Sequence, residues 1–182
     1  ALNQVATRVS LLHRDPTDAI ADLEAGRLDA FVALNITVGG DLVSVSLGTV
    51  KFGIYAGKGH PLFERANVPM EEILRHSFVC HAKLSLMRSI WPKEYVRMST
   101  LQVDNHPVGL DACVRGKHLG FMERPGAKEL VDAGLLSELS MPQEIFADVV
   151  LCFHQERQSL PQVDAFRDAV SRRAKALFSS CL

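Results

Sequence analysis

The stretch DPTDAIADLEAGRLDAFVAL, residues 15–34, carries the clearest fold signal in the sequence. Asp15 and Pro16 are typical of a helix start, because a carboxylate can cap free N–H groups and proline fits the first turn. Apolar residues then recur at helical spacing, and Gly26 predicts the end of the helix. The apolar run from Leu28 to Leu34 that follows predicts a buried strand.

The same alternation of strand-like and helix-like segments continues on both sides of this stretch. Residues 8–12, RVSLL, predict a strand, which completes a β-α-β unit with a right-handed crossover. Such alternation is typical of an α/β fold with a mostly parallel sheet. The other predicted strands cover residues 42–56, 78–80, 118–122 and 147–154, and the other predicted helices cover residues 68–75, 108–115, 125–133 and 163–178.

Charge and composition exclude several classes of protein. The chain of 182 residues has 20 Lys and Arg against 21 Asp and Glu, a net charge of −1, so we do not expect it to bind DNA by itself. No apolar run reaches the roughly 18 residues of a membrane span. The four cysteines show no CxxC spacing, and Cys80 and Cys152 lie in apolar runs. These cysteines indicate reduced core thiols and favour a cytoplasmic protein.

Two arrangements that could indicate a metal site or catalysis are weak. His76, Cys80 and His81 are close in sequence, but adjacent strand residues point to opposite faces and cannot easily bind one zinc ion. Cys113 lies inside a predicted helix, away from the helix start that would lower its pKa, and His106 is about two turns upstream. The sequence also has no GxSxG, P-loop or GxGxxG motif. We therefore predict no metal, no cofactor, no catalytic residue and no enzymatic activity.

Several short motifs follow one another along nearly the whole chain. They are Gly26-Arg27-Leu28-Asp29, Gly59-His60-Pro61-Leu62, Val114-Arg115-Gly116, Gly134-Leu135-Leu136, and Leu160-Pro161 ahead of Phe166. In this order and spacing the chain resembles the effector-binding (substrate-binding) domain of LysR-type transcriptional regulators. His118 stands where the family usually has glycine, and Glu123 where proline is common. The family's first strand, the start of its first helix and its N-terminal winged helix-turn-helix have no counterpart in this sequence.

The resemblance implies a fold and a role. It implies an α/β fold with two Rossmann-like lobes joined by two crossover strands, as in type 2 periplasmic binding proteins. Lobe one would take residues 1–52 and 148–182, and lobe two residues 53–147. A small-molecule effector, expected to be an organic acid, would bind in the interlobe cleft and control DNA binding through the absent N-terminal domain. The resemblance also implies a cytoplasmic homodimer or homotetramer that has no contact with a membrane.

The ligand site is predicted from the general rule that ligands in α/β sheets lie beyond the carboxyl ends of strands, near helix starts. Ser85 and Thr100 could donate hydrogen bonds to a carboxylate, although helix capping or loop solvation would also explain them. Arg124 could pair with an acidic ligand or with Glu123. Asn105 suits a helix cap as well as a ligand contact. The predicted ligand-binding residues are Lys83 and Ser85 after the strand at Cys80, Thr100 and Asn105 in the loop before the next helix, Met122, Glu123 and Arg124 after the strand at Leu119, and Asn35 after the strand that ends at Leu34.

Two other functions remain open at this point. A periplasmic solute-binding protein would share the fold and the cleft, and an enzyme could use the same two-lobed fold, because fold does not fix function. The Gly59–Leu62 turn and the short tail after Phe166 favour the regulator.

Overall fold

The computed structural model describes residues 9–81 and 98–179, together with Lys93 and Tyr95. The chain divides into two compact units, the first from residues 1–49 and 147–180 and the second from residues 50–146. The backbone therefore passes between the units twice, once inside each of two long strands. Each unit combines strands and helices, which confirms the α/β class.

The described helices and strands alternate along most of the chain, as the sequence predicts. The helices are α1 (Pro16–Glu24), α2 (Met70–Ile73), α3 (His106–Val114), α4 (Arg124–Asp132) and α5 (Pro161–Ser179), and a 3-10 turn covers Gln155–Arg157. The strands are β1 (Ala30–Leu34), β2 (Leu42–Gly57), β3 (Phe78–His81), β4 (Ser99–Val103), β5 (Leu119–Glu123), β6 (Leu136–Leu139) and β7 (Ile145–His154).

Local signals position α1 as expected. The Asp15 carboxylate accepts a hydrogen bond from the Thr17 N–H at 3.0 Å, and Pro16 is the first helical residue. Gly26 ends the turn after the helix with φ of +69°, a conformation that costs glycine little. Leu23 is fully buried, which is worth roughly 2 kcal/mol for a leucine.

The strand predicted at residues 8–12 is not present in the described part of this segment, because residues 9–15 have no regular structure. A strand needs a hydrogen-bonded neighbour, and β1 pairs with β7 instead. Leu11 is consequently 86% exposed and Leu12 56% exposed. A groove of about 440 Å³ lies beside this segment, which we call the first-unit groove; its lining is residues 9–14, Pro16, Ala19, residues 28–32, Gln162, Val163 and Phe166.

The sheet is mixed, so the expectation of a mostly parallel sheet is wrong. In the first unit β1 is antiparallel to β7. In the second unit β2 is antiparallel to both β5 and β6, whereas β3 is parallel to both β4 and β5. The antiparallel pairs all involve β2 or β7, the two strands that pass between the units. The three parallel strands β3, β4 and β5 end at one edge of the second unit.

The core of the second unit is formed where helices pack on these strands. The Phe52 and Phe121 rings are 5.2 Å apart, and both side chains are buried. At Gly57 a Cβ atom would lie 2.0 Å from the Cys113 carbonyl oxygen. The end of α3 thus contacts the β2 backbone directly, and only glycine allows this approach.

Candidate functional site

The carboxyl ends of β4 and β5 and the starts of α3 and α4 converge at one edge of the second unit, which we call the helix-start edge. β4 ends at Val103, shortly before α3 begins at His106, and β5 ends at Glu123, directly before α4. The His106 Nε2 atom lies 3.8 Å from Glu123 Oε1. Two of the loops predicted to form the ligand site therefore contact each other.

Neither helix at this edge is capped by the side chain at its N-cap position. Asn105 and Glu123 have the extended backbone of N-cap residues, yet neither side chain accepts a hydrogen bond from the following turn. Asp15 does make that contact at the start of α1. The alternative role of Asn105 as a side-chain cap is therefore not observed. Helix starts without a side-chain cap present N–H groups and partial positive charge, which favour an anion.

The Glu123 carboxylate lies across the first turn of α4. A Cβ atom at Gly126 would be 2.9 Å from Glu123 Oε1 and 3.3 Å from His106 Nε2. The glycine thus leaves the space in which these two side chains meet. The negative charge of Glu123 at a helix start is itself favourable, by a few tenths to about 1 kcal/mol.

Arg124 pairs with Glu138 rather than with Glu123, its predicted protein partner. Its Nε atom lies 3.2 Å from both Glu138 carboxylate oxygens, and Nη2 lies 3.2 Å from Oε1. The Tyr55 side chain, which is only 1% exposed, lies next to this pair and shares a hydrogen bond with Arg124. Burial, helped by the Glu138 charge, raises the pKa of the Tyr55 phenol above its ordinary value, although Arg124 opposes the rise. Tyr55 therefore stays protonated at neutral pH.

A concavity of about 380 Å³ adjoins the Arg124–Glu138 pair, and we call it the charged concavity. Its lining is Lys51, Arg124, Glu138, Leu139, Ser140, Met141, Gln143 and Glu144. Lys51 forms an ion pair with Glu144 across it, and this pairing holds the pKa of the Glu144 carboxyl below its usual range. The Lys51 side chain is 16% exposed, so its charge is partly withdrawn from water.

The other predicted ligand residues are placed less favourably. Met122 is 6% exposed and belongs to the core, so its side chain does not reach the edge. Thr100 is exposed but lies in β4, not in a loop, three positions before the last residue of that strand. Lys83 and Ser85 lie outside the described residues. In the first unit, Asn35 has φ of +48°, its N–H donates to the Asp148 carbonyl at 2.8 Å, and its Oδ1 accepts from the Asp148 N–H at 2.7 Å.

The sequence reasoning missed most of the charged groups around Arg124. Glu138 lies in β6, a strand that the sequence analysis does not predict. Lys51 lies in β2, where the sequence predicts a strand but no role for this side chain. Tyr55 was assigned to the same stretch without a role. Residues 136–139, LSEL, do not alternate apolar and polar side chains, so no local pattern in the sequence predicts where the Glu138 side chain lies.

The cysteines in the described part of the chain are unsuited to chemistry. The Cys113 thiol donates a hydrogen bond to the Tyr55 carbonyl at 3.4 Å, and burial raises its pKa to about 12. Burial also raises the pKa of Cys152 to about 11. Cys80, Cys113 and Cys152 are all free and buried. A thiol that stays protonated is a poor nucleophile.

Among the described residues, His60 is the one polar or charged residue that is buried. It is 6% exposed, its Nδ1 accepts the Leu62 N–H at 3.1 Å, and its ring lies 4.7 Å from that of His76. Burial, with the nearby His76 and His118, lowers the pKa of His60 to about 4. Within the described ranges no group of three or more His, Cys, Asp or Glu side chains is arranged to hold a metal ion. His60 therefore acts as a neutral acceptor that fixes the turn after β2.

Comparison with known proteins identifies a family. Residues 4–175 match the family model of the LysR substrate binding domain. No curated protein sequence gives a significant match. No helix in the described ranges is long and apolar enough to cross a membrane.

Several solved structures with a similar fold are described as transcriptional regulators or their regulatory domains. A transcriptional regulator from Vibrio parahaemolyticus is similar with a TM-score of 0.77 and 16% identity over 93% of this chain and 80% of its own. The regulatory domain of MetR from Neisseria meningitidis gives 0.69 and 10%, over 87% and 78%. The PA01 protein of Pseudomonas aeruginosa, named as a LysR family regulator, gives 0.68 and 10%, over 88% of this chain but only 59% of its own. At these identities the likeness concerns the fold alone.

Proposed function

The chain belongs to the family of LysR substrate binding domains, and from this premise we propose that it is the ligand-sensing part of a transcription regulator. In this proposal it binds a small carboxylate-bearing effector and carries out no chemical reaction. The observation that supports the proposal best is the helix-start edge, where α3 and α4 begin side by side without a side-chain cap.

The helix-start edge is suited to binding a carboxylate. The free N–H groups in the first turns of α3 and α4 carry partial positive charge, which adds to the charge of the Arg124 guanidinium. Pro107 and Pro125 contribute no N–H, and a ligand would have to displace the Glu123 carboxylate from the first turn of α4. Arg124 is 33% exposed, so a ligand can reach it from solvent. A charge-assisted hydrogen bond to such a group contributes about 1.5–3 kcal/mol. Asn105 and Thr100 are exposed and could add polar contacts.

The regulatory step follows from differential binding. A ligand shifts a protein between two conformations only by as much as its affinities for them differ. In the proposed regulator, effector binding changes the population of conformations in the whole protein and thereby its affinity for DNA, which another part of the protein contacts. The interlobe position of the effector, the cytoplasmic location and the homodimeric or homotetrameric state remain predictions from the resemblance.

A thermal-shift screen tests the proposal. Aromatic and aliphatic carboxylates are offered to the chain, and a ligand at 100 times its dissociation constant should stabilise the protein by about 2.7 kcal/mol. Arg124→Gln and Thr100→Ala should each reduce the shift that a bound carboxylate produces, with each variant measured against its own unliganded melting temperature.

Arg115→Gln is the matched control for this screen. Arg115 is an exposed arginine of the same unit that pairs with Asp111 at the end of α3. Its substitution should leave the ligand-induced shift unchanged. An unchanged shift in both Arg124→Gln and Thr100→Ala would contradict the proposed position of the site. In the whole regulator, the same ligand should change the amount of protein bound to its operator DNA.

A further inference from the structure

Two pairs of oppositely charged side chains line the charged concavity of the second unit. They are Arg124 with Glu138 and Lys51 with Glu144. We propose that the effector is an ampholyte, a small molecule that carries both a carboxylate and an ammonium group, as an α-amino acid does. This inference rests on the proposed function, because it specifies the ligand class for the site around Arg124.

The balance of charge opposes a ligand that is only an acid. Lys51 and Arg124 supply two positive charges to the charged concavity, and Glu138 and Glu144 supply two carboxylates, so its lining has no net charge to attract an anion. A simple carboxylate would have to approach Arg124 while Glu138 already occupies its guanidinium. Like charges placed next to each other cost binding energy, and this cost is what excludes wrong ligands.

An ampholyte avoids that cost because it keeps every charge paired. Its carboxylate can accept from Arg124 or Lys51, and its ammonium group can donate to Glu138 or Glu144. The side chains of Arg124 and Glu138 are 33% and 31% exposed, so breaking this ion pair costs free energy. Removing one partner of a partly buried pair leaves a charge without compensation. A ligand with a single charge would leave one side chain of the pair without a partner, whereas a ligand with both charges would give each side chain a new partner.

The walls of the charged concavity suit such a molecule in size and polarity. Its volume of about 380 Å³ falls within the range of about 300–1,000 Å³ that is usual for small-molecule sites. Ser140 and Gln143 add a hydroxyl and an amide that can bond either charged group. Met141, which is half-buried, supplies apolar surface for the remainder of the ligand.

Binding of matched ligand triplets tests the inference. The twenty proteinogenic L-amino acids are screened by thermal shift, together with the acid that lacks the amino group and the amine that lacks the carboxylate of each. We expect at least one amino acid to bind at least ten times more tightly, by calorimetry, than its acid and its amine.

The outcomes separate this inference from the proposed function. An acid that binds as tightly as its amino acid, with affinity lost in Arg124→Gln, would overturn the ampholyte and leave the carboxylate sensor standing. If no member of the triplets binds, the ampholyte is overturned, and the wider carboxylate screen then decides the proposed function on its own.

Substitution of Glu138 gives a second, independent readout. Glu138→Gln frees Arg124 and removes one partner of the ammonium group, so amino acid affinity should fall at least tenfold while affinity for the matched acid rises. Asp132→Asn is the control, because it removes a carboxylate of the same unit that pairs with Lys128 at 2.9 Å on an exposed face of α4. The control should change neither affinity. Equal weakening of acid and amino acid in Glu138→Gln, at an unchanged melting temperature, would contradict the inference.

Discussion

The buried His60 should make the stability of the protein depend on pH in a predictable way. An ordinary histidine has a pKa of 6.5, and burial next to His76 and His118 lowers the pKa of His60 to about 4. The unfolded chain therefore binds a proton at pH values where the folded protein does not. The stability contributed by neutral His60 is fully present above pH 6.5 and is lost as the pH falls from 6.5 toward 4.

The two pKa values determine the size of the effect. Each pKa unit corresponds to about 1.4 kcal/mol, so the free energy of unfolding should fall by about 2 kcal/mol between pH 7.5 and 5, and by about 3 kcal/mol by pH 4. His60→Asn is the informative variant, because its side-chain oxygen can still accept the Leu62 N–H but does not titrate.

Urea-induced unfolding of both proteins, followed by circular dichroism at pH 7.5, 5 and 4, measures this difference. The wild-type protein should lose about 2–3 kcal/mol more than His60→Asn over the range. Loss of stability that is the same in the two proteins would refute the reasoning, because the proton would then bind elsewhere.

Three further predictions concern packing, a strand end and a thiol. Gly57→Ala should lower the free energy of unfolding by about 3 kcal/mol or more in urea titrations, because its Cβ would lie 2.0 Å from the Cys113 carbonyl, and a loss below 1 kcal/mol would contradict that packing. Asn35→Ala should cost about 1–2 kcal/mol by the same assay, since it loses the hydrogen bond from the Asp148 N–H and must still adopt φ of +48°; Asn35→Gly should cost less, and equal costs would exclude backbone strain. The Cys113 thiol, with its pKa raised to about 12, should resist a thiol reagent at pH 8 until the protein is unfolded, and rapid labelling of the folded protein would count against this burial.

Local signals in the sequence predicted those elements whose structure depends on nearby residues. The Asp15 cap and the Gly26 stop both act within one turn of α1, so the helix could be located without knowledge of its neighbours. The starts of α3 and α4 were found in the same way, and with them the helix-start edge that contains Asn105, Glu123 and Arg124.

Elements that depend on a distant partner were predicted less well. Residues 9–12 have the pattern of a strand but no strand partner among the described residues, whereas residues 99–103, STLQV, alternate polar and apolar side chains and pair with β3. Thr100 is nevertheless predicted to lie in a loop. Strand pairing is decided by the fold as a whole, and the pattern of a short segment cannot supply it.

The ion pair between Arg124 and Glu138 could not be predicted from the sequence, for the same reason. Arg124 and Glu138 are 14 residues apart in sequence and meet only because β2 lies between β5 and β6. Glu123 is the nearer carboxylate in sequence, yet the Glu123 side chain lies next to His106. The position of Met122 near the end of β5 favours a ligand contact, but residues 119–122 are all buried and its side chain packs in the core.

Amide chemical shifts recorded during a ligand titration test the central claim most directly. After assignment of the backbone resonances, a ligand found in the screens is added to the chain. The account predicts the largest shifts at the first turns of α3 and α4, in the amides of His106, Arg124 and Gly126. Shifts confined to the first-unit groove, with these three amides unmoved, would contradict it.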